Sequence, residues 1–232
     1  MDTFTHAFAG ALLGKALFSQ QKLSPETPAA AEHSPAARAA IWSVTLASAF
    51  PDIDVFYDIF SRDDMATLKY HRYVTHSFLC MPLWALGLAW LTRWVLRRFG
   101  VPSPTVLWLW LCYLVGIASH ILLDLATSFG TMCWSPLSRA RPSWDILFIV
   151  DFCFTAIVLL PQVAAWIARN PENSLRRALR MWALFVLLTV GAFALAESAG
   201  VGFAPVSIVI ASGVIGALFF LSAGWPPLAK WR

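Results

Sequence analysis

Long apolar runs dominate this chain, and its charged residues stand mostly at the ends of those runs. Residues 104–123 carry no formal charge over 20 positions, and residues 198–229 carry none over 32. About 20 consecutive apolar residues cross the hydrocarbon core of a bilayer, so these runs predict transmembrane helices. No segment alternates apolar and polar residues as a barrel strand does. The pattern therefore predicts an all-α, polytopic transmembrane helix bundle.

Five runs are long enough for full spans: residues 77–97, 104–126, 145–168, 180–199 and 203–223. Two shorter stretches, 3–19 and 37–50, predict two short N-terminal membrane helices. These are either thin spans with Lys15 snorkelling to the surface or a hairpin that dips into the bilayer. Residues 24–35 are rich in Pro, Ala and Ser and predict a loop. No internal repeat is visible, so residues 1–232 are predicted to form a single integral membrane domain.

Composition narrows the classes of function. Hydrophobic residues make up 59% of the chain and charged residues 13%, which excludes an ordinary soluble domain. The net charge of +4 comes from short basic clusters at helix ends, so a bilayer is the predicted partner and a nucleic acid is not. The start of the chain lacks the basic residues of a cleavable signal peptide. The four dispersed cysteines form no C-x-x-C pair and are predicted to pack in the membrane.

The distribution of Lys and Arg predicts the orientation. If the segment after residues 77–97 is cytoplasmic and both short stretches cross the membrane, 12 basic residues lie inside and 5 outside. This bias places the C-terminus in the cytoplasm and the loop 125–144 in the periplasm. Four of the five histidines and most carboxylates then fall on the outer side. Their convergence from four separate segments predicts a metal site at that face.

Two short motifs carry paired candidate ligands. His120 and Asp124 lie four residues apart near the end of a long span, so both reach one ion from one helix face. The alternative is a hydrogen-bonded pair that holds helices together. Asp52 and Asp54 follow Pro51, and on an extended segment they point the same way, as carboxylates that bind a metal do. The alternative for this pair is a solvated helix end.

A third motif contains His71, Arg72 and His76 just before a span. Two histidines five residues apart point about 140° apart on a helix, so His71 is predicted in the preceding turn and His76 at the helix start. Arg72 suits a phosphate or carboxylate. The alternative is that both histidines are ordinary residues of the membrane interface.

Three more residues complete the predicted site. His6 lies in the first apolar stretch, where a lone histidine is more often structural than a ligand. Asp145 and Asp151 stand at the outer end of another span. Asp151 lies within the apolar run and needs a partner, so the two are predicted to support metal-bound histidines. The mixture of imidazole and carboxylate suits zinc, with manganese or iron as alternatives, and the lack of thiolates argues against a closed structural zinc site.

Four motifs in this order resemble the YdjM-like family: MDTFTHAFAGALLG, FPDIDV, HRYVTHS and GIASHILLDLATSFGT. The resemblance covers residues 1–155, and residues 156–232 add transmembrane helices without its motifs. It implies a membrane-bound, metal-dependent hydrolase of the bacterial inner membrane. The metal ligands that it implies are His6, Asp52, His71, His76, His120 and Asp124. The chain departs from the pattern at Tyr73, where the family has Gly, and this side chain is expected to narrow the pocket.

The predicted mechanism is metal-assisted hydrolysis of a lipid or lipid-linked phosphoester at the membrane surface. Asp54 or Asp52 takes the proton of the attacking water, and Arg72 stabilises the developing negative charge. An ion-coupled transporter with intramembrane His and Asp is one alternative. A non-catalytic membrane protein with a structural metal is the other. The position of the carboxylates at helix ends favours the enzyme.

Overall fold

The computed structural model describes residues 1–18, 35–60, 70–198, 200, 210 and 213–219. Within these residues the structure is helical and contains no strand, apart from an isolated bridge between Thr127 and Leu147. The predicted loop at 24–35, except Pro35, which is helical, and most of the predicted span 203–223 lie outside the described residues.

The chain divides into two compact units, Met1–Leu159 and Leu160–Arg232. The first contains α1 (Thr3–Phe18), α2 (Pro35–Ala49), α3 (Val55–Phe60), α4 (Met81–Arg98), α5 (Val106–Leu125) and the 3₁₀ helices Phe50–Asp54 and Val74–His76. Helix α6 (Phe152–Ala168) begins in the first unit and ends in the second, which continues with the 3₁₀ helix Pro171–Asn173 and α7 (Ser174–Ser198).

Helix α5 forms the centre of the first unit. Helices α2 and α4 pack against it, and α1 packs against α2. A Cβ atom at Gly116 of α5 would lie 2.3 Å from Cβ of Ala47, and one at Gly10 of α1 would lie 2.3 Å from Oγ of Ser48. Small residues allow this close approach between apolar helices. As a result, the end of α2 lies directly against the C-terminal half of α5.

The segment after α5 packs over the ends of these helices. The backbone N–H of Trp144 donates to the carbonyl of Leu125 at 2.7 Å, and that of Met132 donates to the carbonyl of Arg72 at 3.2 Å. The hydroxyl of Ser77 donates to the carbonyl of Ser135 at 2.5 Å. These bonds fix the turn that carries the third motif against the end of α5.

Two helical segments are long and apolar enough to cross a membrane, Ala37–Tyr57 and Val106–Leu125. The pair Cys153–Ala168 and Pro171–Gly191, bent by 106°, adds a third if it counts as one span. The described residues therefore contain two or three candidate spans rather than five. Helix α4 coincides with predicted span 77–97, but Arg93, Arg97 and Arg98 reduce the apolar character of its second half.

Two predicted boundaries are wrong, each for a local reason. The apolar stretch 37–50 is not short, because a 3₁₀ helix continues α2 through Asp54 and the candidate span extends to Tyr57. The predicted span 145–168 becomes helical only at Phe152. Asp151 caps that helix by accepting the backbone N–H of Phe154 at 2.8 Å, and a cap ends the helix on its N-terminal side.

Candidate metal centre

Four buried side chains from three separate segments meet near the C-terminal end of α5. Each offers one ligand atom, and these atoms all lie within 4.8 Å of one another. We call this group the central cluster: Asp52, His76, His120 and Asp124. The two 3₁₀ helices supply the first two residues and α5 supplies the other two, so the tertiary fold assembles the group.

The distances within the central cluster match a single tetrahedral ion. The Nε2 atoms of His76 and His120 are 3.0 Å apart. They lie 3.2 and 3.3 Å from Oδ2 of Asp124, and each lies 3.5 Å from Oδ1 of Asp52. Ligand atoms at the usual zinc bond lengths lie about 3.3–3.6 Å apart around a tetrahedral ion. The cluster therefore has the size of one metal site.

The polar atoms of the cluster also point to a cation. Oδ2 of Asp124 is buried and has no hydrogen-bond partner, which is unusual for a carboxylate oxygen. Nδ1 of His120 lies 2.7 Å from the carbonyl of Ser48, which can only accept a proton. His120 therefore carries its proton on Nδ1, and the lone pair of Nε2 faces the cluster. A backbone carbonyl commonly fixes a metal-binding histidine in this way.

His76 is held by a carboxylate on its other side. Its Nδ1 lies 3.3 Å from Oδ2 of Asp54, the arrangement of a carboxylate that orients a metal-bound imidazole. Burial opposes a charge on His76, but the neighbouring carboxylates of Asp124, Asp52 and Asp54 outweigh burial and raise the pKa of His76 to about 10. The surrounding carboxylates thus favour a positive charge at the position of this ring.

Asp54 supports the histidines from outside the cluster. It accepts hydrogen bonds from Nδ1 of His71 at 2.9 Å, from the backbone N–H of Arg72 at 2.9 Å and from the hydroxyl of Thr75 at 3.1 Å. The predicted extended segment after Pro51 is wrong, because Phe50–Asp54 is a 3₁₀ helix. Residues two apart on such a helix point about 120° apart, so Asp52 and Asp54 contact His76 from two sides.

His6 and His71 border the central cluster without entering it. The ring of His6 stacks on that of His120 with centroids 3.6 Å apart, and its Nε2 lies 3.1 Å from Oδ1 of Asp124. His71 lies in a turn, as predicted, and binds Asp54 with a side chain that is 18% exposed. Of the six predicted ligands, the structure thus brings four together and places these two beside them.

The structure places the guanidinium of Arg72 among protein acceptors. Its side chain is buried, and the guanidinium pairs with Oδ1 of Asp124 at 2.9 Å and donates to the hydroxyl of Thr127 at 2.8 Å. The backbone of Arg72 has φ 60, a conformation that costs energy for a residue other than Gly. Protein acceptors thus engage this cation beside the cluster, and the role of Arg72 toward an anionic substrate stays a prediction.

Asp145 and Asp151 do not join the cluster. Asp145 is exposed at a backbone φ of 51, and Asp151 caps α6. Tyr73, the departure from the family pattern, lies beneath Arg139, whose guanidinium carbon is 5.8 Å from the ring centroid. Tyr73 therefore packs against the segment that follows α5.

Sequence reasoning missed several partners of the cluster. The carbonyl of Ser48 and the hydroxyls of Thr3 and Thr75 each contact a cluster residue. The amino group of Met1 donates to Oδ1 of Asp124. A carbonyl carries no signal in a sequence, and hydroxyls are too common to stand out. Only the position of Thr75 within the third motif marked it.

Comparison with known proteins gives a family and a relative. A family model described as YdjM inner membrane protein matches residues 1–199. An uncharacterized protein of Bacillus subtilis (strain 168), YfhP, is 27% identical over 171 residues, which cover 72% of this chain and 47% of the relative. The chain thus spans about half the length of this curated relative. No solved structure matches the chain significantly.

Proposed function

Because the chain belongs to the family of YdjM inner membrane proteins, we propose that it is a membrane-bound, metal-dependent hydrolase with its divalent ion in the central cluster. The observation that carries the proposal is the fit of the cluster to one ion, including an oxygen of Asp124 that has no hydrogen-bond partner. Leaving a buried carboxylate oxygen without a partner is costly, and a bound cation removes that cost. The ligand types favour zinc, with manganese or iron as alternatives.

A divalent ion held by the cluster would supply a water of lowered pKa and would polarise the bond to be cleaved. We assign the proton of that water to Asp54 and His71, because the carboxylate holds Nδ1 of an imidazole that stays partly accessible. In the proposed step the water oxygen bonds to phosphorus while the bond from phosphorus to the alcohol oxygen breaks. His71 takes the water proton and returns it to that alcohol oxygen. Arg72 holds Asp124 in place throughout.

A lipid or lipid-linked phosphoester is the substrate class that we propose. Asp52, His120 and Asp124 lie near the C-terminal ends of the two candidate spans, and the ends of transmembrane helices lie near the lipid head groups. The bias of basic residues supports a multi-pass arrangement with this end at the periplasmic face. Because Arg72 is engaged by the protein, a carboxylic ester of a lipid fits the site as well as a phosphoester.

A second function has one specific observation in its favour. Four protein ligands fill a tetrahedral shell, whereas catalytic zinc keeps an open position. A non-catalytic protein with a structural metal would have such a closed site. Asp52 argues for the enzyme, because it is 8% exposed and borders a cleft, whereas His76, His120 and Asp124 are fully buried. Water and substrate would therefore enter beside Asp52.

The test is a hydrolysis panel with the protein purified in detergent. Phosphomonoesters, phosphodiesters, glycerophospholipids and short carboxylic esters are offered before chelation, after chelation and after zinc or manganese is returned. If the protein is a metal-dependent hydrolase, turnover should disappear when the chelator is added and return when the metal is restored. His71→Asn should retain the metal and lose turnover.

The outcomes separate the rival functions. A structural metal predicts that chelation lowers the melting temperature while no ester is cleaved before it. A transporter predicts metal or proton uptake into proteoliposomes, again without ester cleavage. Either result overturns the proposal of a hydrolase.

A further inference from the structure

A cleft of about 800 Å³ lies in the first unit beside the central cluster. It runs between α2 and α4, which both pack on α5, and Tyr113 of α5 contributes to its lining. Its volume falls within the usual range of small-molecule sites, about 300–1,000 Å³. A helix with its side chains is about 10–12 Å wide and would need a longer and wider groove.

One face of α4 forms a continuous apolar wall of the cleft. The spacing of its lining residues is that of a single helix face, and they span about 12 Å along the axis. They are Leu88, Leu91, Thr92, Val95 and Leu96. This stretch lies mostly in the second half of α4 (Met81–Arg98), so the wall suits one hydrocarbon chain that lies along the helix.

The middle of the cleft offers a ligand almost no polar contact. The hydroxyls of Thr92 and Tyr113 bond to each other at 2.5 Å, so each has a partner already. The other polar lining residues are Thr3 and Asp52. The hydroxyl of Thr3 donates to Oδ2 of Asp52 at 2.6 Å. The polar groups available to a ligand therefore lie at the end of the cleft that meets the cluster.

Asp52 connects the cleft to the central cluster. Oδ2 bonds to Thr3 at the end of the cleft, while Oδ1 lies 3.5 Å from Nε2 of both His76 and His120. A ligand in the cleft thus has its polar end beside one cluster residue and its apolar end beside Leu96. A membrane lipid has the same order, because its head group lies at the surface and its chains point inward.

We propose that the cleft holds one hydrocarbon chain of the lipid substrate and presents the head group to the central cluster at Asp52. The proposal rests on the proposed function where it concerns hydrolysis, and on the cleft alone where it concerns binding. Burial of the chain supplies affinity in proportion to its length, up to the length of the cleft. The site therefore selects lipids by chain length.

The test narrows the inner end of the cleft and leaves the cluster untouched. Leu96→Trp adds a large ring at that end. Leu83→Trp is the matched control, because Leu83 lies on the same helix, is 71% exposed and does not line the cleft. Both proteins should bind as much metal as the parent. Native mass spectrometry measures the retained lipid, with phosphatidylglycerol that carries short acyl chains of about 6 carbons or long ones of about 16 carbons.

Leu96→Trp is expected to weaken retention of the long-chain lipid by about tenfold, the effect of losing two buried methylene groups, and to leave the short-chain lipid unchanged. Leu83→Trp should match the parent on both. If both variants retain both lipids as the parent does, bulk bilayer lipid simply covers the cleft and the proposal is wrong. Chain-selective retention without hydrolysis of any ester keeps the cleft and rejects the hydrolase. Metal-dependent hydrolysis with no chain selectivity keeps the hydrolase and rejects the proposal for the cleft.

Discussion

The two units of this chain use apolar helices for different purposes. Among the described residues, 13 of the 14 buried polar or charged side chains lie in the first unit, and only Ser174 lies in the second. In the second unit, α7 exposes large apolar side chains along its length, with Leu187 69% and Leu195 72% exposed. Such a surface suits contact with lipid.

This difference shows in which unit buried polar groups reduce the stability of the fold. Carboxylates and guanidinium groups buried beside a membrane cost energy unless a partner compensates them, so such groups usually mark a functional site. In the first unit, such groups are buried at the end of α5. Close helix packing, which requires glycine at the contacts, offsets their energetic cost. The described helices of the second unit expose apolar side chains and bury one polar side chain, Ser174. Substitutions should therefore act very differently in the two units.

The largest difference is expected between two glycines. Gly116→Leu in α5 places a side chain where even a Cβ atom would lie 2.3 Å from Ala47 and 2.6 Å from the carbonyl of Val44, so α2 must move away. Gly191→Leu in α7 meets nothing within 4 Å. Metal content and melting temperature in detergent should both collapse in the first variant and stay unchanged in the second. Equal effects would remove the distinction between the units.

The next largest effect concerns the cluster residues themselves. His120→Ala and Asp124→Ala should each weaken metal binding by more than about 100-fold while membrane insertion continues, because no neighbour replaces a lost ligand. His33→Ala, in the stretch rich in Pro and Ala, is the matched control and should bind metal normally. Metal titration of the three proteins decides, and unchanged binding in both cluster variants would mean that the metal lies elsewhere.

Arg72→Ala should act on the cluster through Asp124. Loss of the guanidinium leaves Oδ1 of Asp124 and the hydroxyl of Thr127 without this partner, so metal affinity and melting temperature should fall together, affinity by up to about 100-fold. Arg139→Ala, at an exposed position in the segment after α5, serves as the control. An Arg72 variant that keeps its metal and stability but loses turnover would restore the substrate-binding role that the sequence suggested.

Asp54→Asn should have the smallest effect of the series. The amide keeps the size of the side chain but holds His71 and His76 less firmly, so metal affinity should fall by about tenfold, the lower end for such orienting groups. Asp145→Asn, at an exposed position, should bind metal like the parent. A variant of Asp54 with full affinity would show that this carboxylate does not orient His76.

The sequence predicts the parts of the fold that depend on local pattern. An uninterrupted apolar run predicts residues 104–126 as a span, and α5 covers Val106–Leu125. Spacing on that helix also brings His120 and Asp124 to one face, where both meet the cluster. By contrast, the apolar residues 146–150 precede α6 because Asp151 caps it, and hydropathy cannot distinguish a cap from a residue within a span.

Roles that depend on partners could not be predicted. A sequence does not show whether an arginine such as Arg72 pairs with a substrate or with the protein. Only the fold places Asp124 beside it. Asp52 and Asp54 separate into a cluster residue and a supporting one because of the 3₁₀ helix after Pro51. Nothing in the sequence distinguishes this helix from the extended segment that the pair suggested.

The most direct test of the central claim is metal analysis of the purified protein combined with X-ray absorption spectroscopy of the bound metal. The central cluster predicts one tightly bound divalent ion per chain, with nitrogen and oxygen ligands at about 2.0–2.2 Å and no sulfur. The spectrum should show imidazole scattering, and that scattering should weaken in His120→Ala. Protein that is free of stoichiometric metal after loading and desalting, or a spectrum with sulfur ligands, would contradict the account.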